Sequence, residues 1–223
     1  MLSVDVTKKL RRLTTPRAAA VVGILFSLLF STSLVLLRSA IPEDPAAGMD
    51  WIQAGASQIA LALKLIPFAG IAFIWFIGVM RDRLGEYEDQ FFSAVFYGSG
   101  LLFLGMVFAS MAIAGGILAT ARFIEDATLE SQVIYFGRVV MFQISNVYAL
   151  RMAGVFMISL GTIWWRTGLM PRWLALITYL LALTLLLIIS HSLWVQLVFP
   201  AWVVVIEVCA LLSNRKKAIQ SAG

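Results

Sequence analysis

The stretch SNVYALRMAGVFMISLGTIWW, Ser145 to Trp165, decides how this chain folds. Arg151 is its only charged residue, and 21 residues rise about 32 Å as an α-helix, enough to cross hydrocarbon. Lipid offers no partner to a backbone amide, so the run can only be a helix. It also carries a guanidinium, which never loses its proton, to membrane depth.

The rest of the chain has the same character. Of 223 residues, 61% are hydrophobic and 13% charged, and the mean hydropathy is +0.93. Soluble domains carry about a quarter charged residues. A net charge of +5 raises the question of nucleic acid. The basic residues sit mostly at the ends of apolar runs, however, where they orient a membrane protein. The lone Cys209 excludes an intramolecular disulfide and any cysteine-cluster metal site. His191, the single histidine, leaves no nitrogen-rich set, so neither metal nor cofactor is expected.

Apolar runs at 18–37, 65–80, 91–118, 145–165, 173–190 and 193–212 give an all-α polytopic fold of six transmembrane helices, paired as three hairpins. The first run follows a basic leader, but its 20 residues exceed a signal-peptide core and read as a retained anchor. Lys8, Lys9, Arg11, Arg12, Arg17, Arg81, Arg83, Arg166, Arg172, Arg215, Lys216 and Lys217 fall on one side. They make 12 of 17 basic residues, so the positive-inside rule puts both termini in the cytoplasm. Trp164, Trp165 and Trp173 flank the inner turn, while Trp51 and Trp194 mark outer ends. The expected organisation is a basic segment 1–17, a membrane domain 18–212 and a basic tail 213–223, in a bacterial inner membrane. The outer connections are acidic. In the inner stretch RDRLGEYEDQFF, cations close one helix and anions open the next, as helix dipoles favour.

Lys64 stands about 25 Å above the inner surface, where its stem reaches the headgroups. Pro67, nearby, predicts a kink. Arg151 lies about 22 Å up, with Gln143 and Asn146 upstream of it. Facing lipid it would cost a few kcal/mol, so the expectation turns it toward the bundle interior or a wet cavity. Arg138 falls on another face, outside the core. Glu207, about 12 Å from the inner surface, shares a stripe with Gln196 and Pro200. A carboxyl there takes up a proton or finds a cation. Lys64, Arg151, Glu207, Asn146, Gln143 and Gln196 therefore form the candidate ligand or ion pathway. The bland reading is a clip holding two helices together. His191 reads as an interfacial residue.

Ala94, Gly98, Gly105, Ala109, Ala112 and Gly116 recur on one face of the third span, a small-residue pattern that lets another helix approach closely. Packing inside the chain is the expected use, ahead of a homodimer seam.

The chain has no phosphate loop, no H-E-x-x-H and no G-x-S-x-G, nor a pair of carboxylates at membrane depth. That argues against an enzyme. Three functions are left: a small-solute or ion transporter or channel, a structural or regulatory partner assembling through the third span, and, weakest, a lipid-handling enzyme using Arg138, Arg151 and Lys64. The expected partners are the lipid bilayer, a second copy or another membrane protein, and no nucleic acid.

Overall fold

The computed structural model describes residues 16–42, 50–84, 90–123, 127–187 and 193–220, and all of the regular structure among them is helical. In chain order these are α1 (Pro16–Ala40), α2 (Asp50–Leu84), α3 (Gln90–Phe123) and α4 (Ala127–Phe142). A π-helical segment (Gln143–Ala149) joins α4 to α5 (Leu150–Thr167). Then come α6 (Arg172–Leu187), a 3-10 segment (Leu193–Leu197) and α7 (Val198–Gln220).

Among the described residues five stretches are long and apolar enough to cross a membrane: Ala20–Ala40, Trp51–Asp82, Phe91–Ala121, Ser131–Thr167 and Trp194–Leu212. The remaining apolar run is represented by α6, an apolar helix with 16 described residues. His191, the outer acids Glu43, Asp44, Glu125 and Asp126, and the inner acids Glu86, Glu88 and Asp89 lie outside the described residues. α2 runs on through Pro67 as one helix.

The α5–α6 turn shows how sequence dictates a boundary. Gly168 adopts φ 66°, the left-handed region that a Cβ disfavours. Its amide donates to Trp164 O at 3.0 Å, closing α5. Pro171 then opens α6, its carbonyl accepting from Leu174 N at 3.0 Å.

α1 packs on α2 and α7, α3 packs on α2, α4 and α5, and α6 lies against α5. Phenylalanines fill the centre. The Phe199 ring of α7 meets Phe26 of α1 at 6.1 Å, Phe73 of α2 at 5.8 Å, Phe103 of α3 at 4.7 Å and Phe156 of α5 at 5.7 Å. Such tilted and edge-on pairs contribute about 0.5–1.5 kcal/mol each beyond the area they bury. Trp202 donates to Thr178 Oγ1 at 2.9 Å, tying α6 to this centre. Trp164, expected at the inner belt, is buried against Trp202, with ring centres 6.1 Å apart. Trp165 and Trp173 are exposed there, with the Arg172 guanidinium 5.8 Å from the Trp165 ring.

Candidate functional site

Two departures from α geometry meet where the π segment contacts the 3-10 segment. A π turn pairs amides five residues apart and is wide, whereas a 3-10 turn is tight. Beside them the Met141 carbonyl accepts two hydroxyl protons, from Ser145 at 3.0 Å and from Ser110 of α3 at 3.1 Å. Across the junction Gln196 Nε2 donates to Asn146 Oδ1, and both residues are buried. Between these groups lies a crevice of about 10 Å³, its polar wall made by Ser110, Ser145 and Gln196 and its apolar wall including Met111, Met141 and Leu34.

Of the residues singled out in the sequence, the structure therefore brings Asn146 and Gln196 together. Gln143, first in the π segment, is exposed. Ser110 and Ser145 were not expected in the site. Both are short hydroxyls in apolar runs, where the default is a bond to a carbonyl of the same helix. Nothing in hydropathy marks the π turn that lets Met141 O serve two helices. Because the Asn146–Gln196 bond is buried, truncating one partner costs more than removing both. Asn146→Leu is expected to lower unfolding stability by about 1–2 kcal/mol, and the double change with Gln196→Leu to recover most of that. Additive losses in the double-mutant cycle would show that the bond carries no coupling.

Lys64, Arg151 and Glu207 have different immediate surroundings. Lys64 is exposed on α2. Arg151 is half-buried, and its Nη1 donates to Val147 O, one turn back, at 3.2 Å. Glu207 is fully buried, and a Cβ built on Gly23 of α1 would stand 2.9 Å from its Cγ. Gln196, Pro200 and Glu207 do form one inward-facing stripe.

Arg138, near the start of the Ser131–Thr167 stretch, is only 5% exposed. Its Nη2 donates to Pro42 O at 2.8 Å, just past the end of α1, and its guanidinium lies 5.2 Å from the Trp51 ring of α2. One cation thus joins α4 to the ends of two other helices. Arg38 sits 5.9 Å from the Trp194 ring beside the 3-10 segment.

The small face of α3 is a correction, since it does not pack inside the chain. Ala94, Gly105, Ala109, Ala112 and Gly116 are exposed and Gly98 is half-exposed. A Cβ added at Gly98, Gly105 or Gly116 would meet nothing within 4 Å. Leu101 and Leu102, at 38% and 52% exposure, break the stripe and leave Gly105 to Gly116 as the longer flat stretch. The apparent continuity of the pattern was a matter of spacing. Spacing alone does not say which side of a helix meets its own chain.

Among the described residues no group of three or more His, Cys, Asp or Glu side chains is placed to hold a metal ion. No family model matches the chain, and no curated protein or solved structure does so either.

Proposed function

We propose that this chain is a membrane-embedded assembly subunit that crosses the bilayer six times with both termini in the cytoplasm, and that α3 is its docking helix. The observation that carries the reading is the exposed Gly105–Ala109–Ala112–Gly116 face. Lipid tails fill space against bulky side chains as well as another helix does. A flat strip of small residues gains most from a helix backbone pressed against it. The partner we favour is a second copy, because a two-fold pairing presents the same strip to itself and lets Leu102 of each copy fill the space beside it. Transport along Lys64, Arg151 and Glu207 has less support, since the three side chains occupy separate surroundings.

Cysteine cross-linking in native membranes tests this. With Cys209 replaced by serine, Ala109→Cys should form an oxidised dimer, whereas Trp75→Cys, on the exposed face of α2, should not. Gly105→Leu should abolish the cross-link while leaving the monomer at least as stable as before. Failure of Ala109→Cys to cross-link, with a monomer in mild detergent, removes the homodimer.

A further inference from the structure

We infer that the crevice between α1, α3, the π segment and the 3-10 segment is a binding site for one neutral, water-sized hydrogen-bond donor, and that its ligand is water. The argument starts from where the protons already are. Ser110 and Ser145 each have one hydroxyl proton, and both give it to Met141 O, at 3.1 and 3.0 Å. What each serine has left to offer is an oxygen lone pair. Gln196 spends an amide proton on Asn146 Oδ1, which leaves its own carbonyl oxygen as an acceptor and one N–H as a donor. The polar wall is thus rich in acceptors. All three of these residues are more than nine-tenths buried.

Size sets the next limit. A crevice of about 10 Å³ accommodates a single water, and a buried water needs two to four polar partners, which this wall supplies. Charge sets the last. An acceptor-rich wall also suits a small cation, but Arg138 stands three residues before Met141 on the same helix, about 5 Å further out. Its guanidinium is held in place by Pro42 O and Trp51. A second cation in this low-dielectric setting would be repelled by it. Water donates to two of the oxygens and accepts from Gln196 without adding charge. It would link α3 and α4 to the start of α7, where neither the π nor the 3-10 segment follows α-helical pairing.

The crevice carries its own reporters. Met111 and Met141 line it and are 4% and 1% exposed, while Met157, in the phenylalanine centre, is 0% exposed. X-ray radiolysis makes hydroxyl radicals from water where the water sits, and mass spectrometry reads the methionine oxidation that follows. Burial alone predicts equal, slow rates for all three. With a bound water, Met111 and Met141 in the intact protein should oxidise roughly tenfold faster than Met157. Ser145→Ala should narrow that gap. Rates for Met111 and Met141 as slow as for Met157 would overturn the site without reference to any variant. A second arm addresses the ligand: thermal midpoints in sodium chloride and in choline chloride of equal ionic strength should coincide. A rise specific to sodium would replace water with a cation and overturn the proposal as stated.

Discussion

Arg138→Ala is expected to lower the unfolding stability of the detergent-solubilised protein by about 3 kcal/mol, in the combined range for a charge-assisted hydrogen bond and a desolvated cation–π contact. The change removes the donor to Pro42 O and the cation over the Trp51 ring, in a residue only 5% exposed. It leaves a carbonyl at the end of α1 without this donor in a place poor in water, and that cost is not recovered by relaxation. Arg138→Lys should recover only part of the loss, since a compact ammonium cannot both stack on the indole and keep the planar fork on the carbonyl. A loss below about 1 kcal/mol for Arg138→Ala would mean that the outer ends of α1, α2 and α4 are held by other contacts. Hydrogen exchange should localise the effect. Amides near Leu37 and Trp51 should lose protection first, while those around Phe73 and Phe199, in the aromatic centre, keep theirs.

Arg138 also illustrates which parts of this molecule its sequence makes legible. Hydropathy and the demand that amides pair in lipid are enough to give the helices, since that demand acts on every residue alike. Position along a helix is legible too, because rise per residue is constant: Arg138 falls near the start of the Ser131–Thr167 stretch and Glu207 well within Trp194–Leu212. Direction around the helix is not legible when a segment is apolar on all sides. Amphipathicity then fails to say which face meets the chain and which meets lipid. For that reason the α3 glycines were expected inside and Trp164 was assigned to the belt. The polar junction was half legible. Asn146 and Gln196 stand out as amides in apolar runs, and an amide at that depth must find a partner. Ser110 and Ser145 do not stand out, because their role depends on a local π turn whose origin is tertiary.

Gly55→Leu is the second change with a large expected effect. α1 and α2 approach each other closely where Gly55, near the start of α2, meets Ala40 at the end of α1. A Cβ at Gly55 would stand 2.8 Å from Ala40 Cβ, 3.1 Å from Ala40 O and 3.2 Å from Ala40 Cα. Two of those three atoms are backbone, so no change of rotamer relieves the clash and the helices must separate. Separation there strains the bonds that follow along the same crossing, from Ser39 Oγ to Gln58 Oε1 at 3.3 Å and from Ser33 Oγ to Ala62 O at 2.9 Å. The expected loss is about 3 kcal/mol, at the upper end of the overpacking range. Gly105→Leu provides the contrast, because nothing lies within 4 Å of a Cβ there. On its own chain that change should stabilise by up to roughly 0.8 kcal/mol through helix propensity, even as it removes the cross-linked dimer. The pair separates packing within the chain from packing between chains. If Gly55→Leu is tolerated, the tight crossing of α1 and α2 is wrong. If Gly105→Leu unfolds the monomer, the α3 face is not a surface, and the docking role assigned to it goes with it.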